Sequence, residues 1–77
     1  MLTAADLKLG EKGIILDASY KNIPLKLIEM GCLPGNEVEL IQLAPYSDPM
    51  YLNISGCHLA ISRETALHIF IEKISNE

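Results

Sequence analysis

Residues 50–61 read MYLNISGCHLAI, two runs of alternating apolar residues that meet at Ser55-Gly56. A two-residue turn at Ser55-Gly56 sets Ile54 opposite Cys57, Leu52 opposite Leu59 and Met50 opposite Ile61. All six then share one face, while Asn53 with His58 and Tyr51 with Ala60 share the other. A slip of one residue would pair apolar with polar at every step, so a single register buries a face. The stretch is predicted to be a β-hairpin with a defined inner side.

Upstream, residues 27–40, LIEMGCLPGNEVEL, begin as a helix and end as a strand. The pattern predicts a helix over Asn22–Gly31, with Pro24 in its first turn and Gly31 at the left-handed position that stops it. Leu25, Leu27, Ile28 and Met30 are its apolar residues, and Lys26 and Glu29 its polar ones. Leu33–Asn36, LPGN, has Pro34 and Gly35 where a type II turn needs them. A strand follows over residues 37–44, with a phase slip at Leu40–Ile41 that predicts a β-bulge. Proline stands at both ends of the Pro45–Pro49 loop, which displays Tyr46 rigidly, and Asp48 is a candidate cap for that loop.

Thr3–Asp6, TAAD, resembles a capping box that starts one helical turn. Gly10 and Gly13 bracket a tight approach to a short strand, IILD. Ser62 is a candidate cap for a helical turn over SRETA, and LHIFIEKI is the last strand, with Leu67, Ile69 and Ile71 facing one way and His68, Phe70 and Glu72 the other. The order is strand, helix, three-strand meander, tight turn, strand. The fold class predicted is mainly β: a small five-stranded barrel with one short α-helix, residues 1–77 forming one domain, since closure removes vulnerable strand edges.

Composition narrows the function. A chain of 77 residues that is 49% hydrophobic is too apolar to be disordered. No segment approaches the ~20 apolar residues of a membrane span, and the first ten residues lack the basic start and apolar run of a secretion signal. A cytoplasmic location without direct membrane insertion is expected. The net charge of −4, with six Lys and Arg spread along the chain, argues against nucleic acid as a partner. No nucleotide-binding, metalloprotease or serine-hydrolase motif occurs, and the carboxylates are scattered at element ends. The chain is not expected to be an enzyme.

Four side chains are candidate metal ligands: Cys32, Cys57, His58 and His68. Cys57 and His58 are neighbours on a strand and point to opposite faces, so the two do not grip one small ion without distortion. Cys57, on the inner face, reads as a small buried hydrophobe. Cys32 either turns inward against Leu33 or faces solvent, where metal or redox chemistry is open to it. His58 and His68 are candidates for the outer surface. A zinc or ferrous site wants three or more close ligands, and none of the spacings supplies them. The expectation is no cofactor, with weak iron or zinc binding as the alternative.

In the two stretches LIEMGCLPGNEVEL and APYSDPMYLNISGCHLAISRETA the sequence resembles the FeoA family, small cytosolic proteins of bacterial ferrous iron transport. The matching pieces are Glu29-Met30-Gly31, Pro34-Gly35, Val38-Glu39-Leu40, Ala44-Pro45, Asp48-Pro49, Gly56, Leu59-Ala60 and Ala66. The resemblance implies an SH3-like barrel. It also implies an accessory or regulatory role through contact with a membrane ferrous iron permease that carries a cytosolic GTPase domain. The family's link to transition metals makes a metal-binding or metal-sensing domain the second implication. Relatives carry several arginines where this helix has Pro24-Leu25-Lys26, with one base. Leu25 either packs deeper or stands as an apolar anchor, and the expected partner contacts are Leu25, Lys26, Glu29 and Tyr46. A binder of proline-rich peptides, the third option, lacks the aromatic groove such ligands need, since the chain has no Trp.

Overall fold

The computed structural model describes residues 2–18 and 21–74. Five strands are present: β1 (Lys12–Ala18), β2 (Glu37–Leu43), β3 (Met50–Ile54), β4 (Cys57–Ile61) and β5 (Ile69–Ile74). They form one antiparallel sheet in the order β4-β3-β2-β1-β5. Two short α-helices, α1 (Leu25–Glu29) and α2 (Arg63–Ala66), and two 3-10 turns, Ala4–Asp6 and Pro45–Ser47, complete the described elements.

The β3–β4 hairpin has the expected register, with Ile54 opposite Cys57, Leu52 opposite Leu59 and Met50 opposite Ile61. Ser55 (φ 54°) and Gly56 (φ 92°) are both left-handed, as a type I′ turn requires. The phase slip in β2 is a bulge between Leu40 and Gln42 that leaves Ile41 without a partner on β3. A second bulge, which the pattern did not announce, lies in β1 between Ile15 and Asp17. Each bulge adds twist, and the two together curl the sheet around one core. Val38, Leu40, Leu52, Ile54 and Ile69 are fully buried in that core.

Two expected boundaries and the number of α-helices differ. The helix predicted over Asn22–Gly31 is confined to Leu25–Glu29. Ile23 precedes a proline, which disfavours helical backbone there, and Pro24 itself is extended (ψ 140°). SRETA forms the expected helical turn with Ser62 as its cap, and it is regular enough to be a second short α-helix among the described residues, where the predicted fold had one. Leu67 and His68 are not part of the last strand. Their N–H groups close the end of α2, onto the carbonyls of Arg63 (3.1 Å) and Thr65 (3.0 Å), and Leu67 is exposed.

β1 and β5 approach closely at Gly13. A Cβ there would sit 2.8 Å from Ile71 Cδ1 and 3.2 Å from the Glu72 carbonyl oxygen. Beside this pair, Lys73 Nζ of β5 lies 2.6 Å from Oε2 of Glu11, the residue just before β1. That contact, with the Lys8 N–H (2.7 Å), holds the Glu11 carboxyl below its ordinary pKa. Gly13→Ala should cost about 1–3 kcal/mol in urea unfolding through overpacking. Ile71→Val, which removes the nearest atom, should recover part of that loss, and equal costs in both backgrounds would show that the crowding lies elsewhere.

Candidate functional site

The GCLPG corner is built by hydrogen bonds that follow from its glycines. Gly31 (φ 111°) ends α1, its N–H donating to the Ile28 carbonyl (3.1 Å) while the Cys32 N–H donates to the Leu27 carbonyl (3.0 Å). This is the paired pattern of a Schellman motif, whose second residue past the helix packs back on the last turn. Cys32 occupies that position and is 0% exposed. Asn36 Nδ2 donates to the Gly31 carbonyl (2.7 Å), and the Asn36 N–H closes the LPGN turn on the Leu33 carbonyl (3.1 Å). Gly35 (φ 93°) supplies the left-handed residue a type II turn demands. The corner docks on β1 through the Gly35 N–H and the Ile15 carbonyl (2.7 Å).

Burial pushes the Cys32 thiol pKa up. The thiolate, the form that binds metals and attacks electrophiles, is therefore disfavoured. Cys57 is half-buried, His58 exposed on β4, and His68 lies in the turn before β5. β4 and β5 are the two ends of the strand order, so His58, on β4, and His68, just before β5, belong to opposite edges of the sheet. Among the described residues no three His, Cys, Asp or Glu side chains gather into a group able to hold a metal ion. None of the described helices is long and apolar enough to cross a membrane.

The expected contact residues fall in two places. Leu25, Lys26 and Glu29 are exposed on α1, Leu25 at 67%, while Leu27 and Ile28 pack against the core. Tyr46 stands wholly in solvent on the loop before β3. A Cβ added to Gly31, at the end of α1, would sit 3.1 Å from the Ser55 Cβ, so this end of α1 lies beside Ser55, at the far end of β3 from Tyr46. The length of β3 thus separates the loop from the α1 end, roughly 14–17 Å. They form two surfaces.

Tyr46 (φ 66°) and Ser47 (φ 63°) are consecutive non-glycine residues in the left-handed region, each at a steric cost of roughly 1–2 kcal/mol. Arg63, which the sequence patterns did not single out, holds them there. Its Nε donates to the Ser47 carbonyl (3.3 Å) and its Nη1 to the Ala5 carbonyl (2.9 Å). Asp48 does not cap its own loop. Its Oδ1 accepts from the Arg63 backbone N–H (3.0 Å), at the start of α2, while the Ser62 hydroxyl accepts from the Thr65 N–H (3.2 Å).

A family model, FeoA domain, matches residues 2–73. The chain belongs to the FeoA family. Over 73 residues it is 30% identical to the Fe(2+) transport protein A/Fe(2+) transporter FeoB fusion protein of Porphyromonas gingivalis, a match covering 94% of this chain and 9% of that protein. The chain therefore spans less than a tenth of the length of the curated relative it matches. Among solved structures, the FeoA protein of Chlorobium tepidum superposes with a TM-score of 0.86 at 22% identity, covering 99% of this chain and 73% of that one. Iron(II) transport protein A of Clostridium thermocellum gives 0.81 at 26% identity, covering 95% and 46%. The FeoA of Stenotrophomonas maltophilia, an SH3 domain protein solved with zinc, gives 0.80 at 18% identity, covering 94% and 91%. The curled sheet of this FeoA-family chain is accordingly an SH3-like barrel.

The two thiols should separate by access. In native protein one equivalent of a thiol reagent should react readily, at Cys57, and the second only on unfolding, at Cys32. A folded thiol pKa above the unfolded one adds stability that is present below the unfolded value and is lost as pH rises past it, from about pH 8.5 upward. The alkaline loss of stability should be smaller in Cys32→Ala than in the parent. Equal native reactivity of both thiols would contradict the burial of Cys32.

Proposed function

We propose that this protein is an accessory or regulatory component of ferrous iron uptake. In this reading it binds the cytosolic region of an iron permease that carries a GTPase domain, and catalyses nothing itself. The observation that carries the proposal is the P. gingivalis relative, in which iron transport protein A and the transporter FeoB are one polypeptide. Fusion places the two modules at high effective concentration, which benefits partners that otherwise meet through a weak interface. Placement in the cytoplasm follows from the same partner.

Leu25 and Tyr46 are the proposed anchors, with Lys26 and Glu29 at the rim of the α1 surface. Tyrosine is enriched among the residues that carry interface energy, and an apolar side chain displayed on a short helix is a ready contact. The α1 surface carries one base and one acid among these contacts, so the interface should be modest, largely apolar and little weakened by salt. A metal-binding role is favoured by the zinc in the S. maltophilia structure. Cys32, buried and with its thiol pKa pushed up, supplies no ligand to it.

The test is radiolabelled ferrous iron uptake, under iron limitation, in cells lacking this protein and complemented with variants. Leu25→Glu and Tyr46→Glu should fold normally and each lower capture of the permease's cytosolic region about tenfold, as loss of an interface anchor does. Uptake should fall with capture. Normal uptake without the protein would sink the accessory role, and normal uptake with both variants would discard these two surfaces. Titration of the reduced protein with ferrous iron and with zinc should give no stoichiometric sub-micromolar complex. One that forms and is lost in His58→Ala would favour the metal-binding role.

A further inference from the structure

The two edges of the sheet are treated differently. The outer edge of β5 is covered: Thr3 bridges to Phe70, and the Ile71 N–H donates to the Leu2 carbonyl (3.0 Å). β5 also carries Glu72 and Lys73, charges of the kind that blunt an edge. β4 has neither protection. It has no charge, proline or bulge, and residues 49–62 include no Asp, Glu, Lys or Arg.

The hydrogen-bond parity of β4 follows from its turn. In a two-residue I′ hairpin the residues flanking the turn, Ile54 and Cys57, form a hydrogen-bonded pair, and bonded pairs then alternate along the ladder. Cys57, Leu59 and Ile61 therefore direct their N–H and C=O groups at β3. His58 and Ala60 direct theirs outward, and among the described residues no backbone group outside the hairpin meets them.

We propose that β4 pairs with β4 of a second copy of this chain, antiparallel, about a two-fold axis through Leu59. Three observations choose this occupant. The register is self-complementary: His58 bonds Ala60 of the other copy and Ala60 bonds its His58, making four backbone hydrogen bonds, with Leu59 facing Leu59. The apolar and polar faces of the two strands match, Cys57 opposing Ile61 on the inner side. Lastly, an open pocket of about 370 Å³ lies on this face, lined by Gln42, Tyr51, His58 and Ala60 among others. Gln42, Tyr51 and Ala60 form one cross-strand row, and small Ala60 leaves space beside the Tyr51 ring. The two-fold sets the other copy's His58 opposite Ala60, next in that row, where its ring fills the space.

Two five-residue strands bury little area, below about 1,200 Å² in total, so the dimer is weak. Each copy carries a net charge of −4 and the paired edge carries none, so added salt should favour association by screening repulsion.

The test is sedimentation equilibrium of the intact reduced protein up to roughly 1 mM, with amide hydrogen exchange at low and high concentration. A monomer–dimer equilibrium strengthened by salt is expected. The His58 and Ala60 amides should slow as concentration rises, while the Leu59 amide, bonded to β3, is protected throughout. Ala60→Pro removes an N–H that the monomer does not use, so it should fold and weaken association at least about tenfold. Ala60→Lys, which puts a charge on the paired edge, should weaken it as well. A chain monomeric throughout this range overturns the proposal and leaves β4 to a strand from a different protein. So does a dimer that Ala60→Pro and Ala60→Lys both leave intact, or one in which the two outward amides exchange as fast as in the monomer.

Discussion

Leu52 is the residue on which the rest of the barrel depends. It is fully buried, with Leu40 opposite it on β2 and Leu59 opposite it on β4, so one row of leucines fixes the register of three strands at once. A shift of either neighbour by one residue would carry every inward side chain to solvent. The row also sets where the sheet bends. Directly after Leu40 the β2 ladder skips Ile41 and resumes with Gln42 opposite Tyr51. Ile41, expelled from the pairing, is left 41% exposed. The bulge that lets a five-stranded sheet curl thus also supplies the wall of the pocket beside Tyr51.

The second constraint is the GCLPG corner. A helix of five residues is too short to persist by its own hydrogen bonds. Its last turn is held by the Schellman pair at Gly31 and Cys32, by Asn36 reaching back to Gly31, and by the burial of Cys32. The thiol there behaves as a hydrophobe of the right size. Helix, turn and strand are consequently one unit, and α1 presents Leu25, Lys26 and Glu29 from a fixed platform.

What the sequence made legible was local. The hairpin register, the β2 bulge, the glycine stop of α1 and the type II turn each rest on residues within a few positions of one another. What it hid was either a competition between neighbouring signals or a contact between distant ones. The apolar spacing of residues 22–31 looked helical throughout, but the backbone restriction before Pro24 prevailed over it. Leu67 and His68 fit the alternation of β5, yet the turn opened by Ser62 consumed their amides first. The Arg63 bond to Ala5 spans 58 positions, and no periodicity encodes it. Of the candidate site, the exposure of Lys26, Glu29 and Tyr46 could be anticipated from the sequence. The separation of α1 from the Tyr46 loop could not, because it depends on which end of β3 each one meets.

The Tyr46 loop poses the sharpest question of cause. Two successive left-handed residues without glycine are costly, and a fully exposed ring recovers nothing from burial. The fold contributes the clamp instead. Arg63 bonds the Ser47 carbonyl, and Asp48 in turn takes the first amide of α2, so the loop and the helix hold each other. Asparagine or glycine at position 46 would meet the same backbone demand with less strain. Neither the core nor the clamp uses the tyrosine ring. Its full exposure supports the partner contact proposed for this loop.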